Sequence, residues 1–406
     1  MQSSNLKILS ADWVIPVKGD PIPGGAVAIE SGRIRFAGPS QEAAALFPGA
    51  RTTRLPGKTV LPGLVNAHCH LDNCFLADKL SLSPEETFFD WIAKVISEQA
   101  RHSLETKKQA ALHGISQLIK SGTAAVGDIT HDPFTVLALE EAGLEAVFFH
   151  EAIGFLSEEA ERIHEEKLEA ITALKKTSKS EHFISPHSPY SVSRDLLEKI
   201  ASRRSRVSFH LAESRDEVEF LKEGRPKMEA ILKSMGKWDP HWKPPGISPV
   251  RYFNEIGLLH PKAVAVHMAW VEERDYPVLE QAKPNICLCI RSNERLRNGL
   301  PPVHDYLGMG MNLCLGTDGL GSNDDLSILN EMRYVKKRFP DLKDEAIVRM
   351  GTMGGAAALG LEEKFGALEP GKSSRLAVVD SGENAGDPYS FLVNKTPCLF
   401  HPGRSR

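Results

Sequence analysis

No run of about eighteen apolar residues occurs in this chain of 406 residues, which excludes an ordinary membrane-spanning helix. The first residues, Met1–Lys7, lack the apolar core of a secretory signal, so the cytoplasm is the expected location. Cysteine is scarce: there are 6, and no two stand as a C-x-x-C pair. That argues against a disulfide framework and for reduced thiols. Cys287 and Cys289, spaced to share one strand face, read as small buried hydrophobes. The formal net charge is only -4 and no basic run stands out, so no nucleic-acid partner is expected. Low-complexity tracts, heptads and internal repeats are missing too. What is present, 41% hydrophobic and 25% charged residues, is the composition of a soluble globular protein.

Short apolar runs broken by Pro and Gly fill the first segment, as in Lys7-Ile-Leu-Ser, Asp12-Trp-Val-Ile-Pro-Val and Gly25-Ala-Val-Ala-Ile-Glu. A counterpart follows Phe365-Gly-Ala-Leu-Glu-Pro-Gly-Lys, in Leu376-Ala-Val-Val-Asp. Residues 1–57 and 365–406 are therefore expected to form one small β-sandwich domain from the two chain ends. Between them, in 58–364, apolar strands alternate with helical stretches. The predicted strands are Thr59–His68, Thr123–Ile129, Glu145–His150, Phe183–His187, Val207–His210, Ala263–His267, Ile286–Ile290 and Asn312–Thr317. Helices are predicted over Glu105–Ser121, Ser193–Ser202 and Asp216–Leu221. Eight strands with intervening helices point to an α/β fold, the (β/α)8 TIM barrel.

Four of these strands end in groups able to bind a metal or move a proton. The first runs Leu61-Pro-Gly-Leu-Val-Asn-Ala-His68-Cys-His70, and residues two apart on a strand share a face. The fifth ends in His210 and continues to Glu213. The sixth ends in His267 and the eighth in Asp318. A single histidine at a strand end is more often structural, but four such ends on the functional rim of one barrel are not expected of a core. A hydrolytic zinc site needs a few protein ligands and an open position, where a water loses its proton near neutral pH.

The segments Pro62-Gly-Leu-Val-Asn-Ala-His-Cys-His70, Ser185-Pro-His-Ser-Pro-Tyr-Ser191, His210-Leu-Ala-Glu-Ser214, Val266-His267 and Leu315-Gly-Thr-Asp-Gly-Leu-Gly-Ser-Asn323 together resemble the amidohydrolase superfamily. The branch is that of the aminohydrolases, with guanine, cytosine and adenosyl-homocysteine deaminases and triazine hydrolases. The resemblance implies that His68, His70, His210 and Asp318 hold one divalent ion, usually zinc and sometimes iron. Strand four ends Ile184-Ser-Pro-His187 without the lysine that bridges two metals in other branches, which favours a mononuclear site. Relatives contact substrate through the histidine matching His187, and a homodimer stays open.

Deamination of a purine-like ring needs attack of water oxygen on carbon and protonation of a ring nitrogen and of the leaving amine. Asp318 would take a proton from the water, and Glu213 would carry it to ring and amine. His267 would hydrogen-bond the water or the developing alkoxide. Phe88 and Trp91 could stack on a flat ring, or simply form the buried face of an amphipathic helix. Adenosyl-homocysteine and methylthioadenosine deaminases carry a ribose-binding glutamate where this chain has Ala100. The run Phe88–Trp91, the segment Trp242-Lys-Pro-Pro-Gly-Ile-Ser-Pro-Val250 and Ile290-Arg-Ser-Asn293 resemble aminodeoxyfutalosine deaminases of menaquinone biosynthesis. Arg291 could pair with the benzoate of that substrate, or sit in an ion pair at the rim. The expected substrate is thus 6-amino-6-deoxyfutalosine. The alternatives are adenosyl-homocysteine, methylthioadenosine, guanine or another C–N or C–Cl substrate, and, less in keeping with the full residue set, a barrel that only binds.

Overall fold

The computed structural model describes residues 6–382 and 386–395. Five strands lead: β1 (Lys7–Val14), β2 (Ile22–Pro23), β3 (Gly25–Glu30), β4 (Arg33–Pro39) and β5 (Arg51–Pro62). Eight follow: β6 (Leu64–Cys69), β7 (Thr123–Thr130), β8 (Glu145–Ala152), β9 (Glu181–Pro186), β10 (Val207–Leu211), β11 (Ala263–His267), β12 (Asn285–Leu288) and β13 (Leu313–Leu315). The last is β14 (Leu376–Asp380). The chain divides into two compact units, one drawn from Met1–Ala67, Ser116–Val126 and Ser327–Arg406, the other from His68–Ile115 and Gly127–Leu326.

In the first unit six strands form one sheet in the order β14-β5-β1-β3-β4, with β2 on β1. Strand β5 runs parallel to β1 and antiparallel to β14, so distant parts of the chain share this sheet. Alternation in β1 puts Ile8 against Ala26, Ala28 and Ala43 on one face. Its neighbours Leu9 and Ala11 pack with Val27, Ile29, Val60 and Val378 on the other. Residues 1–5, 383–385 and 396–406 of the expected β domain lie outside the described residues.

The strand predicted over Thr59–His68 is two strands, β5 and β6, parted at Gly63. A Cβ there would stand 2.4 Å from Ala124 Cβ and 2.9 Å from the Arg375 carbonyl oxygen, so only glycine allows this close passage. Of the other seven predicted strands, Ala263–His267 appears as predicted and six appear with ends shifted by one to two residues. Ile290 is the clearest shift: it opens the helix Ile290–Arg295 rather than ending β12.

The barrel strands form two four-stranded sheets, β6-β7-β8-β9 and β10-β11-β12-β13. Every residue of β6, β7 and β10 through β13 is buried, which is why these strands read as apolar runs rather than alternating ones. The sheets join at both edges. His210 N–H donates to the His187 carbonyl (2.9 Å), continuing β9 into β10. At the other edge Cys69 pairs in parallel with Asp318, and Thr317 and Asp318 N–H donate to the His68 carbonyl at 3.1 and 3.2 Å. The ring closes as a (β/α)8 barrel. Among the described residues no helix is long and apolar enough to cross a membrane.

Candidate active site

The strand ends that close the barrel also gather its polar groups. One nitrogen each of His68, His70 and His210 and one oxygen of Asp318 lie within 4.8 Å of one another, all buried. His70 Nε2 stands 3.2 Å from His210 Nε2. Asp318 Oδ1 stands 3.7 Å from His68 Nε2 and 3.6 Å from His70 Nε2. Tetrahedral ligands at about 2.1 Å from zinc are roughly 3.4 Å apart, so this donor set fits one such ion. Two hydroxyls orient Asp318. Those of Ser292 and Ser322 donate to its Oδ2 at 2.7 and 2.6 Å, leaving Oδ1 for the imidazoles. Gly316 lies two residues before it, where a Cβ would stand 2.8 Å from both His68 Cβ and Cys287 Sγ. Cys69 is fully buried and supplies none of the four metal-holding atoms.

Burial dominates the electrostatics. It lowers the His68 and His70 imidazoles to about 4 and His267 to about 3, so all three are neutral bases at pH 7. Burial alone would raise the Asp318 carboxyl, but the imidazoles of His68, His70 and His267 hold it well below the usual carboxylate range. Glu213 goes the other way: burial, with the carboxylates of Asp318 and Glu217 nearby, pushes its carboxyl well above that range. Its Oε1 accepts from Asn298 Nδ2 (3.2 Å) and lies 3.6 Å from His267 Nε2. His267 Nδ1 bonds Asn293 Oδ1 at 2.7 Å, which leaves Nε2 as an acceptor in the neutral ring. Four residues at these strand ends, Ala212, His267, Met268 and Asp318, have φ of 48°, 72°, 49° and 58°, sparsely populated values for non-glycine residues.

His70, His210, Glu213, His267 and Asp318 line a cavity of about 780 Å3, within the range of small-molecule sites. His187 lies on its wall; its Nδ1 bonds the hydroxyls of Ser188 (2.9 Å) and Ser191 (2.7 Å). Phe88 and Trp91 also line it, stacked on each other at 6.1 Å and 19°. Trp91 packs with Val95 on Phe75, Leu76 and Leu80 as well, so the helix Phe88–Arg101 serves both the core and the cavity. Arg291 is not brought to the cavity. Its Nη2 donates to Asp325 Oδ1 (2.9 Å) and to the Asp325 carbonyl (3.1 Å), the rim ion pair rather than a substrate contact. Trp242 likewise stacks on Phe220 (4.5 Å) away from the cavity wall.

Several site residues are absent from the sequence reading. Glu217 is fully buried and accepts the backbone N–H groups of Ala212 and Glu213, each at 2.8 Å, fixing the turn that aims Glu213. Ser214-x-x-Glu217 is a capping-box spacing that could have revealed it. A second group, Asp72, His131 and Glu151, also lines the cavity. Asp72 Oδ2 accepts from His131 Nδ1 (2.9 Å) and from its backbone N–H (3.0 Å), while His131 Nε2 meets Glu151 Oε2 at 2.8 Å. Burial works against a charged ring, but the two carboxylates push the His131 imidazolium up to about 10. Burial likewise opposes ionisation of Glu151, yet the His187 and His131 rings hold its carboxyl well below the usual range.

The sequence profile of the amidohydrolase family matches residues 59–398. The 5-methylthioadenosine/S-adenosylhomocysteine deaminase of Desulforudis audaxviator is 31% identical over 379 residues, 89% of this chain and 81% of its own. Among solved structures, the aminofutalosine deaminase of Helicobacter pylori, in complex with methylthio-coformycin, superposes with a TM-score of 0.83 at 22% identity, covering 97% of this chain and 98% of its own. A zinc-bound adenosine deaminase from Xanthomonas campestris gives 0.78 at 23%, covering 97% and 90%. The likeness of the two solved structures is one of fold. With the profile match and the sequence relative, it follows that the chain belongs to the amidohydrolase family and is a hydrolase acting on carbon–nitrogen bonds.

Proposed function

We propose that this protein is a metal-dependent deaminase of an adenine-containing nucleoside, with 6-amino-6-deoxyfutalosine of menaquinone biosynthesis as the first candidate substrate. The observation that carries the deaminase reading is the cluster of four groups able to hold a metal, three of which line one cavity with Glu213 and His267. His68, His70, His210 and Asp318 would hold one divalent ion, zinc first and iron second, which supplies Lewis acidity and lowers the pKa of a water. With Nδ1–H directed at Asn293, His267 orients that water as an acceptor. It stabilises a developing oxyanion only once it has itself taken a proton. Glu213 passes one water proton to the ring nitrogen as oxygen adds to the adjacent carbon. It then passes the second to the exocyclic amine as the C–N bond breaks and ammonia leaves. A carboxyl raised by burial suits both transfers, since it holds a proton more readily than an exposed carboxylate does. His187, Phe88 and Trp91 would hold the base and sugar.

Support for the futalosine substrate is the end-to-end likeness to the Helicobacter pylori enzyme. A methylthioadenosine or adenosylhomocysteine substrate is favoured instead by the 31% identical relative. Arg291, held by Asp325, offers no support for benzoate binding. Ammonia release from 6-amino-6-deoxyfutalosine, 5-methylthioadenosine and S-adenosylhomocysteine separates the readings, and silence with all three overturns the deaminase. In the same proposal, residues 58–364 form the catalytic barrel and 1–57 with 365–406 the composite β domain. The working location is the cytoplasm, and a homodimer is the assembly to test by light scattering.

A further inference from the structure

The Glu151 carboxyl stands on the cavity wall with only 4% of its surface exposed. Both nitrogens of the His131 ring face carboxylate oxygens, Asp72 Oδ2 and Glu151 Oε2, which only the imidazolium satisfies by donating twice. This chain starts from the short helix Leu71–Leu76, crosses the residue after β7 and ends on β8, so three separate elements fix one carboxylate. Only Oε2 of Glu151 is engaged among the described residues; its group lies within 4.8 Å of ring nitrogens of His187 and His210. A buried carboxylate accepts and cannot donate, so a ligand that fills this part of the cavity must bring donors.

We propose that Glu151, positioned by Asp72 and His131, accepts the hydroxyl groups of the substrate's sugar and makes the enzyme selective for ribonucleosides over their deoxy forms. The inference rests on the deaminase reading. An adenine nucleoside such as 5-methylthioadenosine, with its exocyclic amine at Glu213, has no other strong donors than its sugar hydroxyls. A cis-diol can present two O–H groups to one carboxylate, and such charge-assisted bonds are the strong ones. The competing use of Glu151 is as a ligand, with His187 and His210, to a second ion. His210 speaks against it: its Nε2 already faces His70 Nε2 at 3.2 Å and its Nδ1 bonds the His187 carbonyl at 2.9 Å. A second ion would have to take His210 from the first.

The test measures kcat/KM for the best adenine nucleoside and for its 2′,3′-dideoxy analogue, in the wild type and in Glu151→Ala. Removing the hydroxyls is expected to cost the wild type on the order of 100-fold, as for bonds to a charged acceptor, and the variant less than about 3-fold. Equal penalties in both proteins overturn this inference and leave the deaminase standing. No ammonia from any adenine nucleoside overturns the deaminase and this inference with it. Should the alanine variant not fold, Glu151→Gln reads the same coupling: a penalty well below the wild type's is expected, and an unchanged one overturns the proposal. Zinc content is read on the same samples. One equivalent in wild type and variant is expected, and a second equivalent present only in the wild type would make Glu151 a ligand and overturn it.

Discussion

Two neighbouring clusters on the cavity wall are built from the same two groups, imidazole and carboxylate, in opposite protonation states. Around Asp318 three buried imidazoles are driven down to about 4 or about 3, and the Glu213 carboxyl is driven up. Around His131 a single imidazole is pushed up to about 10 and Glu151 is driven down. Burial is common to both, so the difference comes from stoichiometry. Several rings sharing few carboxylates cannot all carry charge, whereas one ring between two carboxylates gains from carrying it. The first cluster is thereby ready to give lone pairs to a cation, and the second is a fixed internal salt whose outer oxygen is open to a neutral donor.

The comparison can be broken most forcefully at Glu213. Glu213→Gln keeps the size but cannot shuttle protons, and kcat should fall on the order of 10³-fold with zinc content unchanged. Retained turnover would remove the proton carrier from the first cluster. Next in size is acid sensitivity after metal removal. His68 and His70 are lowered to about 4 from 6.5, so as pH falls from 6.5 to 4 the unfolded chain takes up protons that the folded one refuses. The melting temperature of chelator-treated protein should drop across that window and recover when zinc is restored near neutral pH. A flat profile would mean these rings are not held neutral. The second cluster predicts the opposite sign. The raised value of His131 gives stability that is complete below about 6.5 and lost as pH rises through about 10. The difference in melting temperature between wild type and His131→Asn should therefore be largest below about pH 6.5 and shrink as pH rises to 10. A constant difference would show that the ring is not charged. The smallest effect belongs to Cys69→Ala. The thiol stands between His68 and His70 yet outside the group that could hold a metal, so zinc content should stay at one equivalent and the melting temperature fall by no more than about 4 °C. Metal loss in that variant would mean that the alternation of His68 and His70 on one face is wrong.

The first cluster was legible in sequence and the second was not, for a geometric reason. His68 and His70 announce themselves by a spacing of two in an apolar run, and His210, His267 and Asp318 each follow short, mostly apolar runs, because both faces of these strands are buried. Asp72, His131 and Glu151 share no spacing. Moreover the strands predicted as Thr123–Ile129 and Glu145–His150 stop just short of His131 and Glu151, whereas the real β7 and β8 run to Thr130 and Ala152. A polar residue reads as the end of a strand, but these two strands carry their polar residues on to the rim. Arg291 shows the reverse failure. Its position after β12 is rim-like, but sequence does not disclose that Asp325, thirty-four residues on, holds the guanidinium. The barrel itself was readable because its short, mostly apolar strands alternate with helical stretches. The break at Gly63 was not, since it depends on Ala124 and Arg375 passing close by.

Gly316 has no side chain and touches no ligand atom, yet a methyl group there would collide with the backbone and Cβ of His68, at 2.9 and 2.8 Å. Neither contact is the flexible end of a side chain, so His68 would have to move with its strand. The reach of the metal site into the sequence is therefore wider than its chemistry. Part of what limits how far this chain can drift while keeping these groups together is an empty volume, and that limit falls on a residue no inventory of candidate ligands would name.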